Sequence, residues 1–478
     1  MVVLAYVGAL AYGAICLLAS LIIYKLGVPK RYTRKIVHIL VGAEWFILYH
    51  TVGAGIHFVA VCLIFTVLVW ISYAKSLMPM ISSDNDNAPG TVYYCISMTI
   101  MAIVGSFVPD FMLPFGIAVL CTSLGDGLAA VIGSSVSRAN PKIYGNKTLW
   151  GSVSAFVMSA VSVYIFTVSY GMSMTAIDAL FIAAFAAGLE LITGFGLDNV
   201  TIPLGTAFFA YLLRSYDFID HYTVPIVVTP FIIALALGKG ILTKKAVVYA
   251  IICDAAVSVA LGNFGFTLLL SFLLLSVLID KIKKRFKQAD DISAKGDNRD
   301  EVQVIANGAI SVAMALLFLL SGEKLFVIGY CAALAECFAD TCASGIGMSA
   351  SSAFDLFKMR RVPKGLSGGM SWQGTVASLI APFVFSLIPL AFGIIGISDL
   401  LIVALTAFIG AVFDSMLGSL LQAKFKCTEC SGITEKHIHC NVPTEHVSGL
   451  KLINNDVVNV LSSAFAAVIA MVLFILIK

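Results

Sequence analysis

Long apolar runs constrain this chain more than any other feature. Roughly 16 segments of about 15–25 residues succeed one another, each near the length an α-helix needs to span hydrocarbon. With 60% hydrophobic and only 12% charged residues among 478, and a mean hydropathy of +0.98, the class is a polytopic membrane protein. The segments predict an all-α fold of about 16 transmembrane helices in two bundles of roughly eight. The bundles divide into residues 1–214 and 224–478. Small-residue runs such as residues 183–188 predict close helix packing. Residues 2–24 read as a span and not a cleavable signal or transit peptide, for want of a basic n-region and a small-residue cleavage site. Eleven cysteines scattered mostly through apolar segments, such as Cys16, Cys62 and Cys253, read as reduced thiols and not a disulfide framework.

The net charge of +3 is uninformative about partners, because the basic residues are topological signals. With the N-terminus outside, inside loops collect all of the 30 Lys and Arg except Arg214, Lys324 and Lys478. The motifs described next then fall on the cytoplasmic side of a cell membrane, where nucleotides are.

Residues 122–152 carry the sharpest chemistry. Asp126 stands between Gly125 and Gly127 within an apolar span, with Gly133 closing it and Lys147-Thr148 and Gly151-Ser152 following across a loop. A carboxylate at membrane depth is costly unless it faces a cavity, so it marks function by default. Glycines permit close approach of backbone to a phosphate or ion. The same order recurs more than 200 residues later. Asp340 precedes Gly347 by the spacing that separates Asp126 from Gly133, and Pro363-Lys364-Gly365 and Gly374-Thr375 follow. Two copies in register argue for a duplicated site.

Other polar residues at membrane depth extend the set. Arg34 and Lys35 are either topological charge or site residues. His38 and Glu44, six apart on one span, should lie on roughly opposite faces. Residues 82–90, rich in Asp, Asn, Pro and Gly, are ordinarily a turn and otherwise a nucleotide or metal contact. Glu190 precedes Asp198-Asn199, either of which could cap a following helix. With Asp126, Glu190 and Asp198 also make the carboxylate set of a Mg²⁺–polyphosphate site. Glu336 and Asp340, at i and i+4, share a helix face, and Asp414 and Asp456 add further acids. Cys427-x-x-Cys430 with Cys440 and His437 or His439 offers a zinc ligand set, with reduced loop thiols as the alternative.

Residues 30–213 resemble the phytol kinase/dolichol kinase family of CTP-dependent polyprenol kinases, related to membrane cytidylyltransferases. The resemblance rests on Arg34-Lys35-x-x-His38, Gly125-Asp126-x-x-Ala129 with Gly133, Lys147-Thr148-x-x-Gly151-Ser152, and Glu190 with Asp198-Asn199. Residues 224–478 resemble the phytyl-phosphate kinase family. There it rests on residues 303–308, Ala339-Asp340-Thr341-x-Ala343-Ser344, Gly368-Gly369-x-Ser371-x-x-Gly374-Thr375, Asp414-Ser415-x-Leu417-Gly418-Ser419, and Asn455-Asp456-x-Val458-Asn459. The second family often has Glu after Ala-Ser, where this chain has Gly345; Glu336 is the substitute at hand.

The resemblance implies a bifunctional kinase that converts a prenyl alcohol of the phytol, geranylgeraniol or farnesol type to its monophosphate and then its diphosphate. CTP or another nucleoside triphosphate is the donor, with Mg²⁺ and no nucleic acid. Asp126, Lys147, Asp340 and Lys364 are the expected catalytic residues. Arg34, Lys35, His38, Gly125, Gly127, Thr148, Gly151, Ser152, Asn199, Glu336, Ser371, Gly374, Thr375, Asp414, Asn455 and Asn459 are expected to bind substrate or nucleotide. Asp126, Glu190, Asp198, Asp340 and Asp456 are the expected Mg²⁺ ligands. Phosphoryl transfer needs chiefly positioning and charge neutralisation, which these residue types supply. The rival readings are a CDP-lipid-forming cytidylyltransferase and a secondary transporter, the latter suggested by internal repeats and acids at membrane depth.

Overall fold

A computed structural model describes residues 2–75, 89–136, 140–194, 196–216, 221–286 and 299–477. The Asp/Asn-rich loop at 82–88 lies outside them. The chain divides into two compact units, residues 1–239 and 240–478.

The first unit runs α1 (Val2–Lys25), α2 (Lys30–Val41), α3 (Glu44–Val52), α4 (Ile56–Ala74), α5 (Gly90–Phe107), α6 (Met112–Leu120), a π-helical segment (Cys121–Asp126) and α7 (Gly127–Ser135). A short hairpin, β1 (Lys142–Tyr144) and β2 (Lys147–Thr148), then leads into α8 (Leu149–Ser169), α9 (Ala176–Ile192), α10 (Asp198–Ser215) and α11 (Thr223–Gly238). The last helix packs with this unit. A methyl on Gly188 of α9 would meet Pro230 at 2.9 Å, and Gly238 lies against the Ile143 carbonyl of β1.

The second unit runs α12 (Lys244–Phe286), α13 (Glu301–Ser321), α14 (Lys324–Gly347), a hairpin of β3 (Ala353–Asp355) and β4 (Arg360–Val362), α15 (Trp372–Ala391) and α16 (Ile397–Leu420). Between α16 and the final helix, α17 (Asn455–Ile477), stands a small antiparallel sheet. Its strands are β5 (Lys424–Cys427), β6 (Ile433–Thr434), β7 (Ile438–His439) and β8 (Val442–Ser448), in the order β6-β5-β8-β7.

Among the described residues, eleven helices are long and apolar enough to cross a membrane, fewer than the roughly 16 expected. Three physical reasons account for the difference. The span predicted to hold both His38 and Glu44 breaks at Gly42-Ala43 into α2 and α3, neither long enough to cross. Two apolar segments fuse into the 43-residue α12, kinked where Gly262 takes φ 59° and ψ −148°. Helices α9 and α11, of 17 and 16 residues, fall short of a full crossing length, and the 18-residue α10 is too polar at its ends, with Asp198 in its first turn and Arg214 in its last.

Each unit wraps its helices around one central span. That span is Pro109–Ser135 in the first unit, 67% buried over its most apolar window, and α14 in the second, 78% buried; α1, by contrast, is 22% buried. The central spans carry Asp126 and Asp340. An apolar helix packed on most sides carries its polar residues inward with it: Asp126 is buried and Asp340 half-buried, so neighbouring side chains largely decide how each acid is satisfied.

Candidate functional site

The glycine spacing of the repeat becomes a helix crossing. In the first unit α7 meets the start of α8: a methyl on Gly133 would lie 3.3 Å from Gly151 Cα, and one on Gly151 would lie 3.2 Å from the Ala129 carbonyl. The Thr148 hydroxyl caps α8 by accepting the Gly151 N–H at 3.4 Å. In the second unit α14 meets α15 in the same way. A methyl on Gly374 would lie 2.8 Å from the Ala343 carbonyl and 3.3 Å from Gly347 Cα, and the Ser371 hydroxyl accepts the Gly374 N–H at 3.2 Å. Thr148 therefore corresponds to Ser371, and Gly151 to Gly374. Lys147 then aligns with Met370 and not with Lys364.

Asp126 ends the π-helical segment and is 3% exposed. Lys35 Nζ donates to its Oδ2 at 2.5 Å, and His38 Nε2 stands 3.8 Å from the same oxygen. His38 meets Tyr94 edge-on, ring centroids 4.9 Å apart. Gly125 and Gly127 make room for neighbours: a side chain on Gly125 would strike the Ser159 hydroxyl, and a methyl on Gly127 would lie 2.6 Å from Ile39. Close to Asp126, Lys147 Nζ donates to Glu190 Oε1 at 2.6 Å and lies 3.9 Å from Asp198 Oδ2. Burial disfavours the Lys147 ammonium, but Glu190, Asp126 and Asp198 outweigh it and hold the amine above its usual pKa. Lys147 is a fixed positive charge, suited to phosphate and not to proton abstraction.

Asp198 does not cap α10; Leu197 holds the N-cap position without a side-chain bond. Asp198 Oδ1 instead accepts from the Asn199 backbone N–H at 3.1 Å and side-chain amide at 3.0 Å, which fixes the carboxylate. Ser152 is buried, and its hydroxyl has no hydrogen-bond partner among the described residues.

A cavity of about 560 Å³ opens beside these groups. Trp45, Leu48, Phe58, Phe65 and Phe115 form apolar wall, while Arg34, Lys35, His38, Asp198 and Asn199 supply its polar lining. Glu44 lines it too, so His38 and Glu44 share one cavity instead of facing apart. The Gly42-Ala43 break turns α3 out of the phase of α2. Glu44 is 9% exposed, and its Oε1 has no hydrogen-bond partner among the described residues.

The acids of the second unit keep different company. Glu336 and Asp340 on α14 and Asp414 on α16 are near enough to repel one another, and the cation acting on Asp340 is Lys283, in the last turn of α12. Ser462 donates to Asp414 Oδ2 at 3.2 Å. Glu336 Oε1 is buried and unpartnered among the described residues. Asn459 donates to Asn307 Oδ1 at 3.1 Å, Asn455 donates to Asn459 at 3.4 Å, and Asp456 is buried at the start of α17. Thr375 N–H bonds to the Ser371 carbonyl at 2.8 Å within the first turn of α15. Lys364 stands apart and makes no ion pair among the described residues.

Sequence reasoning missed Lys283 and the cavity role of Glu44. It also missed a clamp on the Gly-rich loop. The buried Asp355 of β3 accepts the Ser419 hydroxyl at 2.7 and 2.8 Å and the Phe357 and Lys358 amides at 3.1 and 3.0 Å. Burial opposes the Asp355 carboxylate, yet Ser419 and these amides hold it below the usual range. Gly368, at φ +84°, packs its Cα against Ser419 so closely that a methyl would lie 2.5 Å from Ser419 Cα. A glycine is required there on both counts.

A family model described as integral membrane protein DUF92 matches residues 227–467, half of the chain. The chain belongs to the DUF92 family. That match takes in Asp340, Asp414, Asp456 and the cysteines at 427, 430 and 440. Similar proteins of known name include the phytol kinase of Synechocystis sp., 30% identical over 209 residues, which span 42% of this chain and 86% of that enzyme. Protein VTE6, chloroplastic, of Arabidopsis thaliana is 25% identical over 221 residues, 45% of this chain and 60% of its own length. CTP-dependent diacylglycerol kinase 1 of Schizosaccharomyces pombe is 29% identical over 159 residues, 30% of this chain and 68% of that protein. No solved structure matches the chain significantly.

Proposed function

We propose that this chain is a membrane lipid kinase that phosphorylates a prenyl alcohol in its first unit and the resulting monophosphate in its second, with CTP as donor. The observation that carries the reading is the placing of the Lys35–Asp126 pair beside an apolar cavity of about 560 Å³. A prenyl chain in that cavity would bring its hydroxyl to Lys35, His38 and Asp126. The kinase names of two similar proteins support the reaction class, and one of them specifies CTP.

In the first step the alcohol oxygen attacks the γ-phosphorus, the bond to the β–γ bridging oxygen breaks, and CDP leaves. The hydroxyl proton passes to Asp126. Lys147 and Lys35 neutralise phosphate oxygens, and their fixed positions supply the charge stabilisation on which phosphoryl transfer depends. Glu190 Oε2, buried without a hydrogen-bond partner among the described residues, and Asp198 Oδ2 fit a cation that arrives with the nucleotide. Mg²⁺ bound there would offset the charge of the triphosphate, and it ordinarily takes only one or two carboxylates plus phosphate oxygens. In the second unit Glu336, Asp340 and Asp414 would serve the monophosphate, with Lys283 as the neighbouring cation.

Purified protein given phytol, geranylgeraniol or farnesol with each of four nucleoside triphosphates tests this by mass spectrometry. Mono- and diphosphates are expected, with CTP preferred. Donor labelled in the γ-phosphate should label the product. Cytidine label in the lipid would instead identify a cytidylyltransferase and overturn the kinase reading. The charge asymmetry of the loops supports a cytoplasmic face for both sites. In an otherwise Cys-free variant, a cysteine at position 147 should resist impermeant thiol reagent applied to intact cells; labelling from outside would reverse the orientation.

A further inference from the structure

We propose that Cys427, Cys430, His439 and Cys440 bind one structural Zn²⁺, and that this clip holds the sheet β5–β8 as a clamp on the Gly-rich loop before α15. The four ligand atoms lie within 4.8 Å of one another, the one such cluster of His, Cys, Asp and Glu among the described residues. Tetrahedral zinc, with Zn–S about 2.3 Å and Zn–N about 2.0–2.1 Å, requires S···N separations of about 3.5–3.6 Å. The Cys430 and Cys440 sulfurs lie 3.5 and 3.3 Å from His439 Nδ1. The four ligands lie at two strand ends and the turns that follow them: Cys427 closes β5 and Cys430 lies in the turn to β6, while His439 closes β7 and Cys440 lies in the turn to β8. Backbone at these turns is unusual, with Ser431, Cys440 and Asn441 at φ 60°, 52° and 61°. Non-glycine residues adopt that region at a cost that some local interaction must offset. His437 is not a ligand; its ring meets Phe425 edge-on at 4.5 Å.

The sheet cannot stabilise itself by burial alone. Within it only Lys424, Phe425, Cys427 and Thr434 are fully buried, and a unit this small ordinarily needs a metal or disulfide. All three thiols are free in this structure, as metal ligation requires. The consequence reaches beyond the sheet. Lys424 Nζ donates to the Ser367 carbonyl at 2.8 Å, while Glu435 Oε1 accepts the Ser367 N–H at 2.9 Å. Both main-chain polar groups of Ser367 therefore end on side chains of the zinc-held segment. Ser367 lies between Leu366 and Gly368, in the loop that leads to the α15 cap at Ser371. The clip thus positions that loop without touching the carboxylates of α14 and α16.

The inference does not depend on the kinase reading, and its test uses no activity. Full-length protein carrying no polyhistidine tag, purified in detergent with zinc in the growth medium, should contain about one zinc per chain. Cys430→Ser and Cys440→Ser should lose it, and His437→Ala should keep it. Three fewer thiols should react with an aromatic disulfide reagent before chelation than after. Chelation should also speed hydrogen exchange at the Ser367 amide about tenfold or more, because a charge-assisted hydrogen bond is released. Should the serine variants fail to fold, metal content and thiol titration of the wild-type protein still decide. Zinc-free wild-type protein, equal thiol reactivity with and without chelator, or a Cys427–Cys430 disulfide by mass would each overturn the proposal.

Discussion

The two units build one scaffold and fill it with opposite electrostatics. In both, an acid on the central span lies seven residues before a glycine that crosses a second glycine at the start of the next helix. In the first unit Lys35 bonds to that acid and Lys147 bonds to Glu190 close by. In the second, Asp340 faces two more acids, and the cation acting on it is Lys283. A site that brings its own cations can receive a neutral alcohol beside a polyanionic donor. A site with surplus carboxylates repels a lipid phosphate until added cations make up the deficit. The difference fits the two steps proposed above, whose lipid substrates differ in charge.

The largest effect expected from breaking this comparison is a clean separation of the steps. Asp126→Asn should lower alcohol phosphorylation by about 10²–10³-fold while leaving conversion of supplied monophosphate near wild type. Asp340→Asn should do the reverse and accumulate monophosphate. Each variant must match wild type in yield and thermal stability. If either, while folded, abolishes both steps, the units share one site and the assignment of one reaction to each is lost. A second, smaller effect concerns cations. Initial rates measured against free Mg²⁺ at fixed nucleotide should fall more steeply for diphosphate formation than for monophosphate formation. Parallel curves would remove the electrostatic distinction between the sites.

The shared scaffold is tested by substitutions that should act on stability. Gly374→Ala puts a methyl 2.8 Å from a backbone carbonyl that cannot turn away, so a loss of about 1–3 kcal/mol is expected. Gly151→Ala meets the equivalent carbonyl at 3.2 Å and should cost less. Thermal unfolding in detergent ranks the pair. The smallest effect belongs to the helix caps. Thr148→Ala and Ser371→Ala should each cost about 1 kcal/mol, and by similar amounts, if they hold equivalent positions.

The membrane class, the central acids and the repeat were legible in the sequence because each depends on spacing along one helix. Asp126 to Gly133 and Asp340 to Gly347 are intrahelical distances, and they become the same helix crossing. What failed to read was anything set by a break or by a partner elsewhere in the chain. Order along the sequence suggested matching Lys364 to Lys147, but the caps at Thr148 and Ser371 fix a different register. A continuous helix would have put His38 and Glu44 on opposite faces, and the Gly42-Ala43 break brought both to one cavity. The sheet in residues 424–448 hid in a polar loop because its strands are short, although β8 alternates intermediate and exposed positions along its length. His437 and His439 were indistinguishable by spacing, and only the turn geometry separates them.

The π-helical segment that ends at Asp126 has a counterpart in α14 that is plain α-helix throughout. A π turn accommodates one surplus residue, so the helix before it and the helix after it are out of phase by about one residue, or about 100°. Deleting a single residue from 121–125 would restore an unbroken α-helix and rotate every preceding side chain by that angle relative to Asp126. The two copies could therefore diverge in what their acids face through a one-codon change, with the glycine crossing downstream left untouched. In a chain built from two such units the indel, more than the substitution, is the mutation to look for when one unit's acid is paired and the other's is not.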